Sequence, residues 1–322
     1  MGEFELLAKL RERLPPNGPR VELGSGDDAA ITVPGGATAT SVDAVVEGVH
    51  FRRGEAELET VGRKALATAL SDLAAMGAEA GEAYVVLGAP ADLREEDFDA
   101  LLDGLLAVAA ATGTTLAGGD LTRAPVLSLA LTVVGHAARA EDFVTRGGAA
   151  PGDLLVLTGE IGGAAAGRLL LDEPALAAAV PDATAAALRA RQLDPTPRLR
   201  AGRTLAVAGA GAMIDLSDGL AGDAGHLSRA SGVSLRIDGG GLPIASGVAE
   251  VTAAAGLDPL RLAVSGGEDY ELLAALPPER LGAAAETTLT PIGEVAAGEG
   301  VEIRLPAGGL LEVRGYDHFA GP

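Results

Sequence analysis

The stretch Ile214-Asp215-Leu216-Ser217-Asp218-Gly219 places two carboxylates and a hydroxyl between an apolar run and a glycine. Residues 212–215 show the pattern of a short buried strand, and residues 220–231 show the spacing of a helix. Both aspartates would then lie at the carboxyl end of a strand, where open α/β sheets bind their ligands. Two interpretations are open on this stretch alone: the acids hold a ligand or metal ion, or Ser217 or Asp218 caps the helix.

Acidic residues recur in comparable positions elsewhere in the chain. Asp28 lies in a glycine-flanked loop, Asp43 ends a predicted strand, and Asp120 follows a strand predicted over residues 114–117. Ser41 shares a strand face with Asp43, because side chains along a strand alternate with a period of two. A simple turn or loop explains each of these acids when it is taken singly.

Asp72 falls late in a helix predicted over residues 57–76, among apolar and small side chains. Aspartate is a weak helix former and is costly to bury without a partner. Asp72 therefore either points to solvent or has a partner elsewhere in the chain.

Taken together, these acids favour a metal site more than any one of them does alone. If they converge, each pair of carboxylates at about 4 Å repels by roughly 4 kcal/mol at an effective dielectric constant of about 20. Such a cluster needs cations, and oxygen ligands in a chain with few histidines and no cysteine favour Mg²⁺. Several Mg²⁺ ions in an acidic protein point to phosphoryl transfer, because the ions reconcile an anionic site with an anionic ligand.

The length and composition indicate two domains. The chain has 322 residues, which exceeds one average domain, and its interior must be packed from aliphatic residues because aromatics make up only 2%. Strands and helices alternate in both halves, which favours an α/β or α+β organisation over an all-β one. A run of small, charged and turn residues over 137–151 marks the boundary, so we predict one domain over 1–138, which carries most of the candidate metal-binding acids, and a second over 139–322.

Charge and composition exclude several classes of function. The net charge of −21 argues against nucleic-acid binding, which needs clustered Lys and Arg. The absence of cysteine excludes disulfides, thiol nucleophiles and thiolate metal sites. Neither a leader pattern at the N-terminus nor an apolar span of membrane length occurs, so we expect a cytoplasmic protein that does not contact a membrane.

Eight motifs, in this order along the chain, together resemble the thiamine-monophosphate kinase family. They are Gly26-Asp27-Asp28-Ala29-Ala30, Ser41-Val42-Asp43 with His50-Phe51, Ser71-Asp72-Leu73-Ala74-Ala75-Met76-Gly77-Ala78, Gly118-Gly119-Asp120, Thr145-Arg146, the stretch 214–219, the stretch 265–270, and Gly315-Tyr316-Asp317-His318-Phe319. Single motifs are shared with aminoimidazole-ribonucleotide synthetases, whereas the full ordered set is specific and covers nearly the whole chain.

The resemblance implies a fold and a reaction. The fold is the two-domain, aminoimidazole-ribonucleotide synthetase-like fold (α/β plus α+β), with an α/β metal- and ATP-binding domain over 1–138 and an α+β domain over 139–322. The sheet of the N-terminal domain forms the interface of a homodimer in this fold. The reaction is the ATP-dependent phosphorylation of thiamine monophosphate to thiamine diphosphate by direct in-line transfer, assisted by several Mg²⁺ ions. The protein supplies no covalent nucleophile in this reaction.

The resemblance also implies roles for individual residues. Ligands of Mg²⁺ would be Asp28, Ser41, Asp43, Asp72, Asp120, Asp215 and Asp218, of which Asp43, Asp120 and Asp218 would be essential. Contacts to ATP would come from Gly119, Asp120, Arg146 and Ser217. Contacts to thiamine monophosphate would come from His50, Glu268 and Tyr316.

One position departs from the family pattern, since Val42 stands where many relatives have threonine. A metal contact there is restricted to the backbone carbonyl, and Asp27 has no assigned role. Two alternatives stay open: another ATP-dependent synthetase of the same superfamily, and a non-catalytic acidic regulator that binds nucleotide or metal.

Overall fold

Strands and helices alternate along most of the chain, as the apolar patterns predict. The computed structural model describes residues 3–25 and 29–312, and these form two units. The change of unit along the chain falls after Asp142, although residues 74–77 belong to the second unit. The mixed α/β, two-domain organisation predicted from the sequence is confirmed.

The first unit is built on a four-stranded sheet in the order β3-β6-β4-β5. Its elements are α1 (Glu3–Arg13), β1 (Val21–Leu23), β2 (Ile31–Thr32), β3 (Ala37–Val46), α2 (Leu58–Ala75), β4 (Glu79–Ala89), α3 (Glu95–Thr112), β5 (Thr115–Arg123) and β6 (Ser128–Ala137). Strands β4 and β5 are parallel, whereas β6 pairs antiparallel with both β3 and β4.

The two sides of this sheet differ in burial. Leu129, Leu131 and Val133 are almost fully buried on the side that carries Ser41 and Asp43. The opposite side, which we call the open face, is formed by Thr40, Val42, Ala44, Val86 and Thr132, as the alternation of side chains requires. On the open face Val42 is 68% exposed and Val86 is 44% exposed.

The second unit is built on a six-stranded sheet in the order β12-β9-β11-β7-β10-β8. Its elements are β7 (Leu154–Leu157), α4 (Gly163–Asp172), α5 (Asp182–Leu193), α6 (Leu199–Ala208), β8 (Ala212–Asp215), α7 (Leu220–Ser231), β9 (Ser234–Asp238), α8 (Val248–Ala254), α9 (Pro259–Ser265), β10 (Leu272–Leu276), β11 (Thr290–Ala296) and β12 (Gly300–Arg304). Strand β12 pairs parallel with β9, and the other neighbouring strands are antiparallel.

This sheet is buried on both sides, which explains why its central strands are apolar without alternation. Ile214 belongs to the same hydrophobic cluster as Leu220 and Leu227 of α7, whereas Met213 packs in the cluster that contains Leu205 of α6. The strand predicted over residues 212–215 and the helix predicted over residues 220–231 are confirmed at both ends.

Two predicted strand ends are wrong. Asp43 lies inside β3 rather than at its end, and Asp120 lies inside β5 rather than after it. The strands are longer than predicted because pairing with β6 and with β4 carries them through residues that are poor strand formers in isolation. Among the described helices, none is long and apolar enough to cross a membrane.

Candidate active site

Two of the predicted metal ligands, Ser41 of β3 and Asp72 of α2, meet on the buried side of the first sheet. Ser41 and Asp43 are partly buried and alternate with the exposed Thr40, Val42 and Ala44. The Ser41 hydroxyl donates a hydrogen bond to the Asp72 carboxylate. Asp72 therefore has a partner from another element, and the solvent-facing alternative is wrong.

Gly119 and Asp120 line a cavity inside the first unit. The cavity has a volume of about 490 Å³, and its lining comes mainly from α1, α3, β4 and β5, with Leu129 of β6 and residues 24, 25, 29 and 30. A side chain at position 119 would lie 2.0 Å from the carbonyl oxygen of Val85, so only glycine allows the two strands to approach at this point. The walls are mainly apolar, with Leu7, Phe98 and Leu101 among the lining residues.

His50 is fixed by the backbone around it. Its Nδ1 accepts a hydrogen bond of 3.1 Å from the Val46 amide, and its carbonyl lies 3.3 Å from the ammonium group of Lys64. Lys64 is only 1% exposed. The Nδ1 atom and the backbone carbonyl of His50 therefore both hold the loop after β3.

In the second unit, the stretch 214–219 turns sharply from β8 into α7. Asp215 is the last residue of β8 and is 4% exposed. Gly219 is the N-cap of α7, with a φ of 95°, and neither Ser217 nor Asp218 makes a side-chain cap. The capping interpretation of these two residues is therefore wrong, and their side chains are available to other partners.

Asp223 is a further buried acid that the sequence reasoning missed. It lies in the first turn of α7, is 2% exposed, and accepts a hydrogen bond of 3.1 Å from the Asp218 amide. Burial and the nearby carboxylates of Asp215 and Asp218 raise the pKa of Asp223 to about 8. An aspartate in the first turn of the helix that follows the motif was the available sequence signal.

Arg146 and Ser217 surround the same corner of the second unit. Arg146 is exposed, and its positive charge partly opposes the rise in the pKa of Asp223. The Ser231 hydroxyl donates to the Arg146 carbonyl at 2.9 Å, which ties the loop before β7 to the end of α7. Arg146 therefore places a cation near the acids of the stretch 214–223.

The stretch 265–271 is hydrogen-bonded directly to the stretch 214–219. The Glu268 amide donates to the Ser217 carbonyl at 2.9 Å, and the Tyr270 amide donates to the Leu216 carbonyl at 2.9 Å. The Leu216 amide in turn donates to the Glu271 carbonyl at 2.8 Å. These bonds extend the pairing of β8 with β10, so two motifs far apart in sequence form one edge of the unit.

The acids of the stretch 265–271 point to different partners. The Asp269 carboxylate accepts from the amides of Gly162 and Ala164, at 2.6 and 3.0 Å, and thereby caps α4. Burial raises the pKa of Asp269 to about 7, against the opposing effect of these two amides. Asp269 therefore has a structural role.

Glu271 is 1% exposed and is also held within the fold. It accepts hydrogen bonds from the Arg198 guanidinium and, at 2.7 Å, from the Thr158 hydroxyl. Of the three acids in this stretch, Glu268 is the one predicted to bind substrate, and its carboxylate accepts a hydrogen bond from Gln192.

The predicted ligand set is divided among the two units and two undescribed segments. Asp28 and Tyr316 lie outside the described residues. Within residues 3–25 and 29–312, no group of three or more His, Asp or Glu side chains is arranged to hold a metal ion. The described acids do supply oxygen donors, which are the ligands a hard cation prefers.

Family models match both units of the chain. Residues 26–137 match the AIR synthase related protein, N-terminal domain, and residues 150–306 match the AIR synthase related protein, C-terminal domain. The fold, and the edge formed by the stretches 214–219 and 265–271, thus define a two-domain protein of the AIR synthase related class.

Similarity over the full length narrows this class. The thiamine-monophosphate kinase of Salmonella typhimurium is 38% identical, with 100% of this chain and 99% of that protein covered. The chain therefore belongs to the thiamine-monophosphate kinase family. Its relatives are named as kinases, which are phosphotransferases, and the chain is an enzyme of this class.

Solved structures agree in fold over the same extent. The crystal structure of thiamine-monophosphate kinase from Stenotrophomonas maltophilia is 36% identical, with a TM-score of 0.81 and coverage of 94% of this chain and 96% of that one. AaThiL complexed with AMPPCP and TMP is 30% identical, with a TM-score of 0.79 and coverage of 99% and 97%.

Proposed function

We propose that the chain transfers the γ-phosphoryl group of ATP to thiamine monophosphate, which yields thiamine diphosphate and ADP. The observation that carries the proposal is the edge formed by the stretches 214–219 and 265–271. In the second unit it holds the backbone between Asp215 and Asp218 against the backbone at the predicted substrate ligand Glu268. The full-length similarity to thiamine-monophosphate kinases, and a relative complexed with AMPPCP and TMP, support the choice of substrates.

The metal ions in this proposal are several Mg²⁺. The donors would be the seven residues Asp28, Ser41, Asp43, Asp72, Asp120, Asp215 and Asp218. All are oxygen donors, as a hard cation prefers, and the contact between Ser41 and Asp72 already brings two of them together. When bound, such ions neutralise the charge of the phosphates in the transition state.

For the nucleotide, the proposed contacts are Gly119, Asp120, Arg146 and Ser217. The cavity beside Gly119 and Asp120 is of a size that accepts small ligands, and its apolar lining suits a nucleobase. The exposed guanidinium of Arg146 suits a phosphate group, for which arginine offers paired donors.

For thiamine monophosphate, the proposed contacts are His50, Glu268 and Tyr316. An oxygen of the substrate phosphate attacks the γ-phosphorus in line with the leaving oxygen of ADP, so that one P–O bond forms as another breaks. The protein binds and orients both phosphates and does not become phosphorylated.

We further propose that two copies of the chain associate through the open face. Two apolar side chains on this face are exposed on neighbouring parts of one sheet, with Val42 at 68% and Val86 at 44%. Exposed apolar patches of this kind are typical of association surfaces. The cytoplasm, where ATP is abundant, is the compartment we propose for the reaction.

The test is a direct assay of the purified chain with Mg²⁺, ATP and thiamine monophosphate, followed by chromatography of the products. We expect thiamine diphosphate and ADP in equal amounts. ADP formation with an aminoimidazole precursor instead would favour the synthetase alternative. Nucleotide binding without any ADP formation would favour the regulator.

A further inference from the structure

The backbone around Glu268 is held in an unfavourable conformation. Glu268 and Tyr270 have φ values of 67° and 50°, in the left-handed region that non-glycine residues seldom adopt. Their amides are held by the carbonyls of Ser217 and Leu216, each at 2.9 Å. Strain that is fixed by several contacts is characteristic of functional segments.

The neighbours of Glu268 fix the loop on both sides of it. Asp269 caps α4 through two backbone amides, and Glu271 is held by Arg198. The position of the Glu268 backbone is therefore set by the fold, and the direction of its side chain depends on what its carboxylate contacts.

Gln192 makes such a contact. It lies in the last turn of α5, is 3% exposed, and donates a hydrogen bond from Nε2 to the Glu268 carboxylate. Other acids nearby are held by guanidinium groups, namely Glu160 by Arg191 and Glu271 by Arg198. The amide of Gln192 differs from these because it orients a carboxylate without adding positive charge.

We infer that Gln192 is a positioning residue, which orients the Glu268 carboxylate toward the cationic thiazolium or the aminopyrimidine ring of thiamine monophosphate. This inference rests on the proposed function. A neutral donor suits the task, because a cationic partner in its place would compete with the positive charge of the substrate.

The test uses steady-state kinetics of the full chain with the variant Gln192→Met, which keeps the shape of the side chain and removes the donor. We expect the KM for thiamine monophosphate to rise about tenfold, since hydrogen bonds to charged groups have about this effect. The KM for ATP and kcat should stay within about twofold, because only substrate binding is affected. Ala187→Met, at an exposed site of the same helix, is the control and should match the wild type.

A double-mutant cycle with Glu268→Ala, which removes the acceptor, separates positioning from a general structural effect. If Gln192 acts through Glu268, Gln192→Met should change the KM for thiamine monophosphate by less than about twofold in the Glu268→Ala background. An undiminished effect in that background would overturn the inference, as would an equal rise in the KM for ATP. If Gln192→Met does not fold, Gln192→Asn takes its place, because its shorter side chain keeps the polar group but cannot reach Glu268 and should raise the same KM.

The proposed function and this inference fail in different ways. A wild-type chain that makes no thiamine diphosphate overturns both. A wild-type chain that makes thiamine diphosphate, with Gln192→Met unchanged in its KM for thiamine monophosphate, overturns the inference alone.

Discussion

At the scale of the residue, the stretch 214–223 brings three carboxyl groups together in a buried corner. Burial first, and then the nearby carboxylates of Asp215 and Asp218, raise the pKa of Asp223 to about 8. Replacing Asp218 by Asn should therefore abolish turnover through loss of a metal ligand while leaving the free energy of unfolding nearly unchanged or higher. Assays of turnover and urea denaturation on the same variant test both halves, with the exposed Glu250→Gln as control. Turnover close to that of the wild type would contradict the ligand assignment.

Asp269 gives a prediction about pH. Its pKa in the fold, about 7, lies above the ordinary value of 3.8, so folding takes up a proton between these values. Its contribution to stability is therefore complete below about pH 4 and is lost as the pH rises through 7. The unfolding free energy lost in Asp269→Asn should be about 2 kcal/mol larger at pH 5 than at pH 8. Urea denaturation at both values tests this, with Glu250→Gln correcting for surface titration, and an equal loss at the two values would refute it.

The sequence shows which acidic residues belong to the site better than it shows which groups each of them contacts. Asp215 and Asp218 could be recognised because they follow an apolar run and precede a glycine. Asp223 was missed because an acid in the first turn of a helix is common, and only its burial in the fold distinguishes it. The capping role of Asp269 was missed because α4 is more than 100 residues away along the chain.

At the scale of the element, local signals were sufficient where a strand or helix is bounded by turn residues. The ends of β8 and α7 could be predicted because apolar residues stop at Asp215 and a glycine follows shortly after. The end of β5 could not, because Gly118 and Gly119 weaken the local strand signal and only the pairing with β4 continues the strand.

The turn from β8 into α7 depends on Gly219. Its φ of 95° is unfavourable for other residues, and an added Cβ would lie 2.9 Å from the Gly266 carbonyl oxygen. We expect Gly219→Ala to lower the free energy of unfolding by about 1–3 kcal/mol and to reduce turnover, because it separates the two hydrogen-bonded motifs. Denaturation curves and the kinase assay measure these effects.

Gly225, in the same helix α7, provides the matched control. An added Cβ there would meet only the flexible end of Arg229, at 3.4 Å. Gly225→Ala should therefore raise the free energy of unfolding by about 0.5–1 kcal/mol, as alanine does inside a helix. An equal loss of unfolding free energy in Gly219→Ala and Gly225→Ala would show that the turn does not require glycine.

At the scale of the whole molecule, composition and motif order predicted the two-domain class, since each half carries its own alternation of strands and helices. The six-stranded order of the second sheet could not be predicted, because β9, β11 and β12 are brought together by pairing over long sequence separations. The uneven burial of the first sheet could be predicted only in part. The alternation in β3 showed that one side carries Ser41 and Asp43, but not that Val42 and Val86 would share an exposed surface.

That surface gives the last prediction. If two copies associate through the open face, a charge at Val42 should disrupt the association, because burying an unpaired ammonium group is costly. We expect Val42→Lys to shift the chain from dimer to monomer in sedimentation and light-scattering measurements, with the unit itself still folded. Val207, 75% exposed on α6, is the matched control, and Val207→Lys should leave the dimer intact. A wild-type chain that is monomeric at micromolar concentration, or a dimer dissociated by Val207→Lys rather than Val42→Lys, would exclude the open face as the interface.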